Sequence, residues 1–410
     1  MKSTLSDALA DRSPDALAMQ RALTSFPAVT PANGGRGEYA KALWLETYLR
    51  ENGVMDIEHV DAPYPGAEGG IRPNMIVRVP GRSEKTLWIF GHIDVVPPGD
   101  LSLWKSDPWT VTVDPGDPDL IHGRGVEDNQ QAIVSGCLLA MELVKQGITP
   151  DLSLGLMLVA DEEAGNDYGV DHVLAQRPGI VKKGDLVVVP DFGAPGGGIV
   201  EVAEKGVLWL KVTVLGKQCH GSTPDEGVNA AVAASDMIVR IGEIAARFNA
   251  EDPLFLPPRS TFSPTKREAN VPNVNTIPGK DVFYVDCRVL PRYSFGEVTA
   301  AFRSLGDEIS AKYGVTVLVE TDNIEPMTPP TPADSEVVRR IIKAAKKIYD
   351  VDAVPMGVGG STVASRFRAL GIPTAVWANV ISNCHAPNEA ARLSCAVGDA
   401  RVFAELLFEE

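Results

Sequence analysis

The stretch Thr86-Leu87-Trp88-Ile89-Phe90, stopped by Gly91 and followed by His92-Ile93-Asp94-Val95-Val96-Pro97, decides how the rest of the chain is read. After Thr86 the run is wholly apolar, short and rich in strand-forming residues, the pattern of a strand covered on both faces. Similar runs recur at Met75–Val79, 154–160, Leu186–Val189 and 374–379. Helical periods separate them. Residues 38–52 carry apolar side chains at helical spacing and stop at Gly53, residues 129–145 end at Gly147, and Ser13-Pro14 reads as a cap followed by a first-turn proline. Strand, loop and helix in this alternation predict an α/β domain with a central sheet flanked by helices.

The middle of the chain follows a different rule. Residues 207–215 and 281–290 partly alternate apolar and polar side chains, as a sheet with one solvated face requires. An alanine-rich amphipathic stretch lies at 229–248, a second helical period at 295–313, and a further strand ends near 315–319. We read residues 206–320 as a small α+β domain inserted into a larger one formed by 1–205 and 321–410, which resumes with a helix around 332–349.

Composition removes several classes of function. Of 410 residues, 44% are hydrophobic and 22% charged, so a folded core is expected rather than disorder. Aspartate and glutamate number 54 against 38 lysine and arginine, and the net charge of −16 repels phosphate backbones and anionic lipid. No apolar run approaches the roughly 20 residues of a membrane span, and the acidic N-terminal stretch has no signal-peptide core. Five cysteines with no paired spacing argue against a disulfide framework. The expectation is a cytoplasmic protein with neither nucleic acid nor membrane as partner.

The acidic residues and histidines fall where strands end. His92 and Asp94 follow 86–90, Asp161-Glu162-Glu163 follow 154–160, Asp191 follows Leu186–Val189, and His385 comes a few residues after 374–379. Asp128, in Gly123-Arg124-Gly125-Val126-Glu127-Asp128-Asn129, opens a helix. In an open α/β sheet, ligands bind beyond the carboxyl ends of the strands. Five carboxylates (Asp94, Asp128, Glu162, Glu163, Asp191) converging with His92 and His385, with no lysine in the same motifs, repel one another unless cations intervene. Mixed imidazole and carboxylate donors suit zinc, with cobalt or manganese as alternatives. Asp94, two residues after His92, is placed to accept a hydrogen bond from the ring nitrogen that faces away from a metal. Glu162 and Glu163 are neighbours, so the backbone must turn for both to serve, one as ligand and the other as base.

Taken together, Gly-His-Ile-Asp-Val-Val-Pro at 91–97, Gly-Arg-Gly before Asp128, Asp-Glu-Glu at 161–163, Asp191 and Cys-His-Ala-Pro-Asn-Glu at 384–389 resemble the co-catalytic zinc family of aminoacylases and carboxypeptidases. That family includes acetylornithine deacetylase, succinyl-diaminopimelate desuccinylase, glutamate-releasing carboxypeptidases and carnosine-type dipeptidases. The resemblance implies a mixed central sheet of the zinc-exopeptidase type, with the insertion as a lid and dimerisation domain. It further implies two zinc ions bridged by Asp128, one completed by His92 and Asp191 and the other by Glu163 and His385. Glu162 is then the general base and acid, Asp94 the partner of His92, and Asp128–Asn129 a candidate cis peptide. Gly216-Lys217-Gln218-Cys219-His220-Gly221-Ser222-Thr223-Pro224 is similar to the family's lid motif, which implies that His220 holds the scissile carbonyl, in dimeric members across the subunit boundary. Asn275, Arg288, Gly360 and Ser361 match positions that bind the substrate carboxylate and amide. One departure stands out: Asn129-Gln130-Gln131 replaces the Met-Lys-Gly or Asn-Lys-Gly of many relatives.

The reading is thus a homodimeric, dinuclear zinc amidohydrolase, deacetylase- or desuccinylase-like, acting on a small N-acyl amino acid or short peptide with a free carboxylate. The alternatives are a dipeptidase or carboxypeptidase and, further off, a non-catalytic metal-stabilised binding protein. Gly357-Val358-Gly359-Gly360-Ser361 lacks the lysine of a P-loop, Gly123-Arg124-Gly125 lacks the third glycine of a dinucleotide site, and no Gly-x-Ser-x-Gly elbow or Cys-x-x-Cys pair occurs.

Overall fold

Thr86–His92 pairs in parallel with Ser153–Val159 on one side and with Leu186–Val189 on the other, and Leu186–Val189 pairs in parallel with Thr374–Val376. These four strands point the same way, so their carboxyl ends share one edge of the sheet. Val187, Val189, Trp88, Phe90, Met157 and Val376 are all buried in one cluster, which is why the runs show no polar alternation. Antiparallel pairing extends the sheet through Met75–Val79 and Ile57–His59 beyond Ser153–Val159 and through Ile199–Glu204 beyond Thr374–Val376, and Val354–Val358 is the last strand at that edge. The central sheet is therefore mixed and eight-stranded.

The computed structural model describes residues 2–325 and 327–409. The chain divides into two units. One comprises everything up to Val202, Thr331–Pro355 and the chain from Thr362 onward; the other comprises Ala203–Pro330 and Met356–Ser361.

In the first unit the helix Gln130–Gln146 is almost wholly buried and ends on Gly147 in the left-handed conformation. It packs against Leu393–Leu406 and Ser13–Thr24. Ser13 is itself the first helical residue, with Arg12 at the cap position and Pro14 in the first turn, so Ser13 is not the cap its side chain suggests. A three-stranded sheet of Thr112–Asp114, Asp117–His122 and Ala390–Arg392 lies outside the sequence reading.

The second unit is a four-stranded antiparallel sheet in the order Thr261–Arg267, Lys280–Val289, Gly206–Leu215, Thr316–Glu325. Leu208, Leu210, Val212 and Val214 face inward at every second position, opposite Cys287, Val285 and Phe283, and meet Met237 and Phe302 from the helices Ala230–Arg247 and Phe295–Tyr313. The second helix opens with a Ser294–Glu297 capping box and closes on Gly314. Trp209, on the opposite face, is exposed. Thr316–Glu325 runs past the boundary at 320 read from sequence, and residues 356–361 join this unit.

Candidate metal centre

The strand Thr86–His92 ends on a buried imidazole whose two nitrogens are both engaged. His92 Nδ1 lies 3.0 Å from the main-chain oxygen of Asp94 and 3.4 Å from its Oδ1. Nε2 lies 2.9 Å from Asp128 Oδ1 and 3.3 Å from Asp191 Oδ1. A carbonyl oxygen only accepts, so Nδ1 carries a proton, and Nε2 is the nitrogen turned toward the carboxylates. The Asp128–Asn129 peptide bond is cis. Asn129 then ties the strand ends together: its Oδ1 accepts from the His92 amide, and its Nδ2 donates to Asp191 Oδ1 at 2.8 Å.

After Ser153–Val159 the backbone turns, as two adjacent functional glutamates demand. Asp161 adopts φ 68°, and a single tight turn runs Glu162–Ala164. The turn is fixed from both sides. Asp94 accepts from the Glu162 amide at 3.1 Å and the Glu163 amide at 3.0 Å, one on each oxygen. Asp161 is held by the fully buried Arg72, 2.9 Å away, which also makes a two-pronged pair with Glu38.

The last donor comes from a loop after Thr374–Val376. His385, at φ 61°, places Nε2 3.1 Å from Asp128 Oδ2 and 3.1 Å from Glu163 Oε1. Two carboxylates hold this loop and the Asp128 turn to each other. Glu389 receives Arg124 Nη1 at 2.6 Å and the amides of Gly125, Glu127 and Asp128. Glu127 receives the amides of Ile381, Ser382 and Asn383. Neither glutamate was singled out from the sequence, because each partner lies more than 250 residues away; three amides in a row opposite a buried carboxylate leave no local pattern.

Two overlapping groups of donor atoms, each within 4.8 Å of one another, result: His92, Glu162 and Asp191, and His92, Asp128 and Glu163. His385 adjoins the second through its two contacts. The charges fit a cation. Burial, then the neighbouring Asp191, pushes Glu162 well above the usual carboxylate range, and burial pushes Glu163 up to about 7 against the pull of His385. His92 is held well above the usual imidazole range: burial opposes its charge, but Asp128, Asp191 and Asp94 outweigh it. His385 rises to about 10 through Asp128 and Glu163. Burial thus disfavours negative charge on Glu162 and Glu163 unless positive charge stands beside them. Imidazole and carboxylate donors in this arrangement suit a divalent cation.

The other candidate residues all belong to the second unit. His220 is exposed on the short strand Cys219–His220, paired with Thr276. The Ser222 amide donates to His220 Nδ1 at 3.2 Å, so the neutral ring carries its proton on Nε2. Asn275 adjoins that pairing: its main-chain oxygen accepts from the Gly221 amide and its Oδ1 from Asn273. Arg288 directs Nε and Nη2 at Asp286, at 2.8 and 3.0 Å, and Nη1 at the main-chain oxygen of Gly359 at 3.0 Å. Gly360 and Ser361 follow in an exposed bend.

Residues 88–409 match the sequence profile of peptidase family M20/M25/M40. An uncharacterized metallohydrolase of Methanococcus maripaludis is 36% identical, the match covering 94% of this chain and 96% of that protein. A succinyl-diaminopimelate desuccinylase of Nitratiruptor is 24% identical over 90% of this chain and 92% of its own length. Among solved structures, a di-peptidase of Saccharomyces cerevisiae superposes with a TM-score of 0.75 at 17% identity, covering 99% of this chain and 98% of the other.

Proposed function

The chain belongs to peptidase family M20/M25/M40 and is a metal-dependent hydrolase of amide bonds; from that premise we propose that it removes the acyl group from a small N-acyl amino acid bearing a free carboxylate, as a deacetylase or desuccinylase does. The observation that carries this reading is the pair of donor groups sharing His92, with Glu162 beside them and its backbone fixed by Asp94.

In this reading His92, Asp128 and Asp191 would hold one divalent ion, and Asp128, Glu163 and His385 would hold a second. Zinc is the expected metal, with cobalt or manganese as substitutes. When bound, the ions supply Lewis acidity, which polarises the scissile carbonyl and eases loss of a proton from water. Glu162 takes that proton and returns it to the departing amine nitrogen. His220 donates from Nε2 to the carbonyl oxygen as negative charge builds there. Arg288, through N–H groups that Asp286 and Gly359 leave over, joins Asn275 and the Gly360–Ser361 bend in receiving the substrate carboxylate. Homodimerisation through the second unit and a cytoplasmic location belong to the same proposal.

A dipeptide offers the same amide and the same carboxylate, so dipeptidase or carboxypeptidase action is the competing assignment. The test is a panel of N-acetyl and N-succinyl amino acids and dipeptides, assayed with chelator and after restoring Zn2+, Co2+ or Mn2+. Metal-dependent cleavage of the N-acyl amino acids is expected. Cleavage of dipeptides alone would replace the deacylase reading with the peptidase one.

A further inference from the structure

Two residues on either side of Asp128 reach into the segment that leads to His385. Glu127, 6% exposed, accepts three successive backbone amides: Ile381 at 2.5 Å, Ser382 at 3.2 Å and Asn383 at 3.0 Å. Gln131, buried in the first turn of Gln130–Gln146, donates through Nε2 to the main-chain oxygen of Asn379 and to Asp399 Oδ2, both at 2.8 Å. Asp399 also accepts from the Asn379 amide at 3.3 Å. Residues 379–383 are thus tied at both ends to the chain immediately before and after Asp128.

The segment needs such ties. Ser382, His385 and Asn388 all have φ between 61° and 67°, a conformation that residues other than glycine rarely adopt unless their surroundings impose it. A carboxylate facing three consecutive amides is a strong and directional way to impose it, since each bond is charge-assisted. The imidazole two residues beyond Asn383 inherits its direction from this anchorage.

We infer that Glu127 and Gln131 are positioning residues that aim His385 at Asp128 and Glu163 and thereby set the affinity for the divalent cation those three groups share. The inference rests on the reading that Asp128, Glu163 and His385 form one of two ion sites. Neither residue is assigned a ligand role. They act through the loop, as outer-shell partners that orient a ligand do elsewhere, where losing one typically costs 10–100-fold in metal affinity.

The test uses the metal-free full-length protein titrated with Co2+, followed by visible absorption and calorimetry. His385→Ala identifies which cobalt equivalent depends on the loop. Glu127→Gln, close in shape, and Gln131→Ala should each weaken that same equivalent ~10–100-fold and leave the other within about twofold. Amide hydrogen exchange at 381–383 should quicken in the metal-free variants, a readout that needs neither metal nor turnover. Equal weakening of both equivalents, or unchanged affinity at the His385 equivalent in both variants, overturns the inference. A wild-type protein that takes up no Co2+ overturns instead the ion-site reading beneath it.

Discussion

The donor cluster of the first unit and the polar group of the second are held in opposite ways. In the first, carboxylates grip backbone: Asp94 holds the amides of Glu162 and Glu163, Glu389 those of Gly125, Glu127 and Asp128, and Glu127 those of the loop before His385. Buried ion pairs back them up, with Arg72 between Glu38 and Asp161 and Arg124 on Glu389. In the second, His220 leans on Ser222, Asn275 on Asn273 and Arg288 on Asp286, all exposed or half-buried side chains on sequence neighbours. A site for a small cation gains from rigidity, because ligand geometry is fixed by the ion. A site for an organic molecule gains from side chains that can resettle. Buried polar anchors also carry a penalty when broken that exposed ones do not, since the orphaned partner stays dry.

The comparison can be broken experimentally. Glu162→Gln should lower kcat by ~10²–10⁴-fold while bound metal, measured by elemental analysis, is retained; unchanged turnover removes Glu162 as the base. Asp94→Ala should cost ~10–100-fold in metal affinity, because the Glu162–Glu163 turn loses both of its caps. Arg288→Lys should leave metal content untouched and raise KM ~10-fold, since a point charge cannot reproduce the guanidinium fork. A matched substrate without the carboxylate should show no such rise. If Arg288→Lys strips metal as Asp94→Ala does, the contrast between the two regions fails.

The smallest effect concerns pH. Burial pushes the Asp399 carboxyl up to about 7, against hydrogen bonds from Tyr349, Gln131 and the Asn379 amide that favour its ionised form. The folded state then keeps a proton that an unfolded carboxyl, with its ordinary value of 3.8, has released. This group therefore withdraws stability as pH rises from about 4 to about 7. In metal-free protein, the Tm advantage of wild type over Asp399→Asn should shrink across that window. A difference independent of pH would mean that Asp399 ionises normally.

Much of this was legible from the chain because it is written locally. A fully apolar run followed by an acidic residue or a histidine marks a buried parallel strand delivering a side chain to the sheet edge, and four strands repeat the mark. Adjacent glutamates forced a turn, which Asp161 makes in the left-handed conformation. What escaped was of two kinds. Thr261–Arg267 was missed as a strand because Pro264 interrupts it and five of its seven residues are exposed; it sits at an edge, where a proline is tolerated. The clasping glutamates and the Glu38–Arg72–Asp161 group escaped because their partners are distant in sequence, and a lone buried charge reads like any surface one until the fold closes.

Between Asp191 and His385 in the chain lies the whole second unit. A ribosome must therefore finish the insertion before the final imidazole exists. Up to that moment the nascent protein carries its acidic residues without the loop that completes their arrangement. On the proposed reading, in which His385 is a ligand, a complete set of donors exists only once the insertion has been synthesised.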